Sequence, residues 1–316
     1  MKISVRIFIA AVIALNLAGC SNDSLYQDEH YKNLVFLLSG TKNVYVASYT
    51  LNETELDRYV TIGCGGSNTN EKSVTINLEQ DTELIDRYNI MTFDQEYQYA
   101  KILPADRYNI FSYSVTVRAN SSYHYERLPV KVRPLGLSPD SIYFIPLKIV
   151  SVSEYEVNEN KQDVLFRVAI ENNFATQVPQ TLYRKDGVVE NPYTVLSGSR
   201  VVHPLTKDKV RMFVENLNYN DATTPAIINR NAVVVQIHAD NSLTVTPYDP
   251  TMMEVEMLDN VNDNENFNRY NPAYMQGVTK QRVFWLNYSF RQRPLDGGEF
   301  GPWRNVEERL TRIEAD

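Results

Sequence analysis

The chain has 316 residues, with 31 Lys+Arg against 39 Asp+Glu for a net charge of −8, and only two cysteines. An acidic balance without a basic stripe excludes phosphate-backbone binding, so nucleic acid is not a partner, and anionic lipid headgroups would not attract the chain either. Two cysteines exclude a disulfide framework, and the length suffices for two ordinary domains.

The first six residues carry Lys2 and Arg6 and no acid, and an apolar run, Ile7 to Leu15, leads into small residues. This is the pattern of a secretory signal; the run is much shorter than the about 20 apolar residues a spanning helix needs. Leu17-Ala18-Gly19-Cys20 resembles the bacterial lipobox. That resemblance implies a signal peptide over residues 1–19 and acylation of Cys20, which becomes the new N-terminus. Each buried CH₂ contributes about 0.8 kcal/mol, so two or three acyl chains hold a soluble domain firmly where one is marginal. Loss of Lys2 and Arg6 with the leader takes 31 Lys+Arg to 29 against 39 Asp+Glu, a net of −10. Attachment to a membrane must therefore come from the lipid, and Cys64 is left as a structural thiol without a partner.

Residues 20–32 are polar and acidic without periodicity, as expected of a lipidated tether. From Leu34 the pattern changes to short strands: Leu34 to Leu38, Val44 to Tyr49, Tyr59 to Ile62, and Ser73 to Leu78. In the last of these Val74, Ile76 and Leu78 share one face. Residues 82–92 allow a short helix, and strands resume at Tyr113 to Arg118, Leu128 to Val132, Tyr143 to Val152 and Val164 to Ile170. This spacing predicts an immunoglobulin-like β-sandwich over residues 33–172, without the Cys–Trp–Cys hallmark. Residues 171–180 lack periodicity and contain Pro179, which places a boundary there. A second all-β domain over 173–316 follows, an antiparallel barrel or sandwich. It includes a hairpin of Val233 to His238 with Leu243 to Thr246, then Val255 to Leu258, Arg282 to Arg291 and Trp303 to Arg312.

The search for chemistry is mostly negative. No GxSxG, HExxH, CxxC or GK[ST] occurs, and His30, His124, His203 and His238 are scattered without ligand spacing. His238 alternates with Gln236 on a polar strand face and is expected in solvent. The oxygen-rich loop from Asp259 to Asn266 fails the EF-hand register at Val261 and Tyr270. No metal, no cofactor and no catalytic residue is therefore assigned. Aromatic rings beside polar groups offer more, because a sugar's apolar face stacks on them while amides meet its hydroxyls. Along Val283 to Phe290 the residues Phe284, Leu286, Tyr288 and Phe290 form a core face, leaving Trp285 and Asn287 opposite. Trp303, after Gly301-Pro302, is the further ligand-binding candidate.

The stretches "VYVASYTLNETE", "YVTIGCGGSNTNEKSVTINLEQD" and "GLSPDSIYFIPLKIVSVSEYEVNENKQDVLFRVAI" resemble the N-terminal DUF1735 domain of a Bacteroidetes lipoprotein family. "VVHPLTKDKVRMFV", "QRVFWLNYSF" and "GPWRNVEERLTRIE" resemble its DUF4361 partner domain. The resemblance implies a non-catalytic outer-membrane lipoprotein of a polysaccharide-utilisation system, one that binds glycan or assists a glycan-uptake complex. The cell surface is favoured over the periplasmic face, although Ser21 to Ser24 carry a single acid where a surface-export signal would have several. An adhesive module with a protein partner is the alternative, and a glycoside hydrolase the third reading. Asp23-Ser24-Leu25 and Asp140-Ser141-Ile142 resemble Bacteroidetes O-glycosylation sites.

Overall fold

The computed structural model describes residues 32–66, 69–220, 222–258 and 267–313. The leader, Cys20, the tether through residue 31 and the oxygen-rich loop 259–266 lie outside the described residues. Among those described, no helix is long and apolar enough to cross a membrane.

The first half contributes β1 (Leu34–Leu37), β2 (Val44–Thr50), β3 (Leu56–Gly65) and β4 (Val74–Gln80). After helix α1 (Glu83–Thr92) come β5 (Lys101–Ile102), β6 (Tyr108–Asn109), β7 (Ser114–Val117) and β8 (Tyr125–Val132). Then follow β9 (Tyr143–Val152), β10 (Glu156–Val157) and β11 (Asp163–Glu171). They form two facing sheets, in the orders β10-β1-β3-β8-β6 and β2-β11-β9-β4-β7, with β5 pairing β9. Alternation supplies the core: Val74 and Ile76 are buried on β4, as are Ile145, Leu147 and Ile149 on β9. Each such side chain contributes about 1.5–3 kcal/mol of burial. The parallel pairing of β2 with β11, Val44 with Leu165 through Thr50 with Glu171, ties the start of the sandwich to its end. Cys64 sits in the core opposite Val35, and burial pushes its thiol pKa up, in keeping with a structural role. Its neighbour is glycine because the Phe36 ring fills the space a Cβ at position 63 would need.

Helix α1 begins with Glu83 and Asp86 in its first turn, where the helix dipole favours acids. It buries Leu84 and Ile85, and Tyr88 meets Phe144 edge-on at 5.0 Å on the outer face of the second sheet. Asn89 is buried and bonds Ala100 twice, donating to its carbonyl at 3.0 Å and accepting from its N–H at 2.8 Å. That pair fixes the loop 93–100 against the sandwich.

The second half contains β12 (Thr181–Val189), β13 (Thr194–Leu196), β14 (Ser199–Thr206) and β15 (Lys209–Phe213). Helix α2 (Pro225–Asn231) leads to β16 (Ala232–Ile237), β17 (Leu243–Pro247) and β18 (Met253–Met257). The chain ends with β19 (Arg269–Gln276), β20 (Thr279–Gln292) and β21 (Arg304–Ile313). All ten strands belong to one sheet, ordered β17-β16-β15-β14-β12-β21-β20-β18, with β13 on β12 and β19 on β20. The sheet curls until its end strands meet, where the Val245 N–H donates to Met257 Sδ at 3.1 Å. Of the two architectures the sequence allows, the structure has a near-barrel. Phe284, Leu286, Tyr288 and Phe290 fill its core as their alternation requires. The interior also holds the Arg200–Glu308 ion pair, whose side chains are 1% and 0% exposed. Beside it, burial and the Arg200 charge push Lys185 down to about 8.

Residues 172–180 have no periodicity yet are firmly held. The Asn172 amide donates to the carbonyls of Thr206 and Lys209 at 2.7 and 3.0 Å. The Gln177 amide donates to Pro139 and Ser141 at 2.9 and 3.0 Å. Side-chain amides replace a ladder here, a device that hydrophobic periodicity does not report.

Candidate functional site

The predicted residues lie on the outer face of the near-barrel. The β20–β21 register pairs Trp285 with Arg309, Asn287 with Glu307 and Ser289 with Asn305. Trp285 meets Phe267 at 5.9 Å and Tyr274 at 6.3 Å, both edge-on, and the Arg309 guanidinium lies 4.8 Å from its ring centroid. Asn287 is on the polar face but only 8% exposed, and it lines a recess of 230 Å³ with Phe267 and Glu190. Trp303 stands under the Arg291 guanidinium at 4.8 Å. Arg291 is six residues from Trp285 along β20, roughly 20 Å at about 3.3 Å per residue. The structure therefore brings Trp285 and Asn287 together and holds Trp303 apart. His238 is half-buried rather than free in solvent, its Nε2 bonded to Thr244 Oγ1 at 2.8 Å.

A larger site, which the sequence did not single out, lies between the two domains. The loop after α1, the turn before β9 and Arg167 of β11 form one wall; the linker 177–180, His203 of β14, the chain leading to α2 and Ile228 of α2 form the other. The cleft measures 460 Å³, and a narrower lobe of 350 Å³ continues past Asp140 and Ile228 towards Tyr248. Aromatic rings line it from both sides, Phe93 and Tyr97 from the sandwich and Tyr219 from the near-barrel. Ser141 belongs to the narrower lobe, where its hydroxyl accepts from Lys101 Nζ at 3.2 Å.

Its floor is a buried polar network that crosses the domain boundary. On β15, Val210 and Met212 point into the near-barrel and Arg211 and Phe213 point out; His203 on β14 lies directly opposite Arg211. Arg211 is fully buried and grips Asp140 of the sandwich with both terminal nitrogens, Nη1 to Oδ2 at 2.7 Å and Nη2 to Oδ1. Its Nε donates to the Tyr219 hydroxyl at 3.0 Å, and its guanidinium lies 4.8 Å from the Tyr248 ring. Burial disfavours the Arg211 charge, but the Asp140 hydrogen bonds outweigh this and raise its pKa. Tyr219 is sandwiched between rings, stacked on Phe213 at 3.9 Å and on His203 at 4.3 Å. Helix α2, capped by Thr224 and started by Pro225, packs Ile228 against the same rings.

His203 is 6% exposed, and neither ring nitrogen has a hydrogen-bond partner; Nδ1 is 3.8 Å from Asp140 Oδ1. Desolvation, with the nearby Arg211 charge, pushes its pKa down to about 4, so the ring is neutral at physiological pH. Across the cleft, Arg167 projects from the outer face of β11 with a buried Nε that has no partner. Buried donors and acceptors are otherwise almost always satisfied. The cleft can thus offer a neutral imidazole, a guanidinium and the rings of Phe93 and Tyr97 to one ligand. Asp140 is committed to Arg211 and is not placed as a base. Among the described residues, no three His, Cys, Asp or Glu side chains gather as metal ligands would.

The Asp140–Arg211–His203 set was hard to see because Asp140 and Arg211 are 71 residues apart in sequence. The usable signal was one polar residue inside each apolar strand, Val201-Val202-His203-Pro204 and Val210-Arg211-Met212-Phe213. Arginine in particular is almost never fully buried unless paired.

Comparison with known proteins agrees with this two-part fold. One family model, described as an N-terminal domain, matches residues 26–156, and another, described as C-terminal, matches residues 162–311. No curated protein matches the chain. A Bacteroides ovatus protein of unknown function superposes with a TM-score of 0.68 at 16% identity, covering 89% of this chain and 94% of the other. A B. ovatus multidomain protein including DUF1735 superposes at 0.66 and 16% identity, covering 88% and 94%. An auxiliary nutrient binding protein from Bacteroides thetaiotaomicron superposes at 0.61 and 13% identity, covering 87% and 92%. None of the three is named as an enzyme. The chain is therefore built from an N-terminal and a C-terminal family domain, on a two-domain β fold shared with these Bacteroides proteins.

Proposed function

We propose that the protein is a non-catalytic glycan-binding accessory of a polysaccharide-utilisation system, carrying a DUF1735 domain followed by a DUF4361 domain. It is held at the outer membrane by lipid on Cys20, with the folded part facing the cell surface. The observation that carries the binding reading is the interdomain cleft, where an unpartnered, buried His203 ring sits beside aromatic walls. Sugars require that combination of apolar stacking surface and convergent hydrogen-bonding groups. The volume of 460 Å³ falls within the about 300–1,000 Å³ of small-molecule sites. The nutrient-binding name of a structural relative with the same fold points the same way. The cleft takes precedence over the Trp285–Trp303 face because its walls come from both domains and unmet groups of both, Arg167 and His203, line it together.

Affinity electrophoresis of the folded protein against a panel of plant, host and microbial polysaccharides tests this reading. Retardation by at least one glycan is expected, and free migration through all of them contradicts it. Metabolic labelling with a fatty acid tests the anchor: label on the wild type and none on Cys20→Ala supports it, whereas unlabelled wild type refutes it.

A further inference from the structure

Among the described residues, the cleft contains a cation with no counter-ion. Arg167 makes no ion pair and no side-chain hydrogen bond among the described residues, although its Nε is buried. Arg211, the other guanidinium at the cleft, is fully engaged by Asp140 and Tyr219. Among the described lining residues the Asp140–Arg211 pair cancels, the neighbouring His203 is neutral, and Arg167, with Lys101 in the narrower lobe, leaves the cleft positive inside a protein whose total is −8. Desolvation already lowers the Arg167 pKa, so the guanidinium is held where its charge is costly. An uncompensated, part-buried cation is unfavourable, and a ligand anion would relieve it.

We propose that the cleft recognises an acidic sugar residue, with Arg167 binding its carboxylate or sulfate oxygens and His203 bonding a neighbouring hydroxyl. This rests on the glycan-binding reading and narrows it to anionic glycans. Guanidinium suits the task because its planar fork matches two oxygens of a carboxylate or sulfate. Neutral imidazole suits a hydroxyl, since one nitrogen donates and the other accepts. Tyr97, half-exposed at the cleft, would stack on the ring. The acidity of the whole chain makes the assignment specific: general electrostatics would repel a polyanion, so binding must come from a local site.

The test uses two matched pairs of polysaccharides with the intact folded protein: polygalacturonate with its methyl ester, and dextran sulfate with dextran. The expected result is retardation by at least one charged member, at least about tenfold weaker for its neutral partner, as loss of a charge-assisted contact implies. The charged member that binds identifies carboxylate or sulfate as the recognised group. Arg167→Ala should weaken that binding by about tenfold or more, and Arg167→Lys should restore part of it. If Arg167→Ala does not fold, the polysaccharide pairs on wild type and Arg167→Lys decide the matter. Equal binding of charged and neutral members overturns the proposal and leaves the glycan reading standing. No binding to these four while a neutral glycan elsewhere in the panel is retarded has the same consequence. Free migration of the folded wild type through every glycan overturns both.

Discussion

The outer face of β20–β21 and the interdomain cleft both set aromatic rings beside arginines, but the arginines are used differently. On the outer face Arg309 lies over Trp285 and Arg291 over Trp303, and Arg291 also pairs with Glu254. Arg291 is thereby satisfied, whereas Arg309 keeps a buried Nε without a hydrogen-bond partner among the described residues and has its guanidinium over a ring the protein itself supplies. In the cleft, Arg211 is likewise committed, to Asp140, but Arg167 and His203 are left with unmet hydrogen-bonding capacity. The difference teaches that an exposed aromatic is not by itself a platform. What sets the cleft apart is that unmet groups from both domains, Arg167 and His203, line one concave site, because such groups cost free energy until a ligand meets them.

Substitutions in the two regions should separate them by size. The largest effect is expected at Asp140→Ala, which strands Arg211 without its partner in a fully buried position. Breaking a buried pair costs about 3–5 kcal/mol, and the 27% exposure of the Asp140 side chain puts this one near the lower end. A denaturant melt should show it, and a loss below about 1 kcal/mol would mean that the pair does not tie the domains together.

His203 should show in the pH dependence of stability. Its folded pKa, near 4, lies below the ordinary value of 6.5, so between these limits the unfolded chain binds more protons. The stability this provides is complete above about pH 6.5 and is lost as pH falls towards 4, about 3 kcal/mol in all. The groups facing the ring are Asp140, Arg211 and Tyr219. His203→Phe should flatten this part of the acid limb. An unchanged limb would show that the ring titrates in contact with water.

Smaller effects are expected on the outer face. Arg291→Ala removes a part-exposed ion pair and a ring contact, together about 1 kcal/mol or less. Trp303→Ala should leave glycan retardation unchanged, and loss of retardation would return the site to this face.

Most of the fold was legible because it follows from side-chain alternation. Val74, Ile76 and Leu78 identified a sandwich face, Phe284 to Phe290 identified the near-barrel core, and residues 82–92 were read as the short helix found at Glu83–Thr92. Choosing barrel over sandwich was beyond the sequence, since closure depends on how far the sheet curls before Val245 reaches Met257. Of the candidate site, Trp285 and Asn287 were correctly placed opposite the core, yet Asn287 is buried by neighbours from another strand and loop. The cleft was not legible, because it joins Asp140 and Arg167 of one domain to His203 and Arg211 of the other. Alternation does place Arg167 off the sandwich core, between the inward-facing Phe166 and Val168, but cannot say what stands opposite.

Hydrogen–deuterium exchange with and without polygalacturonate oligomers tests the central claim most directly, because it locates the ligand without altering the protein. The account predicts slowed exchange in segments 138–142, 177–180 and 219–223, with 285–291 and 303–309 unchanged. Slowed exchange confined to 285–291 and 303–309 would contradict it.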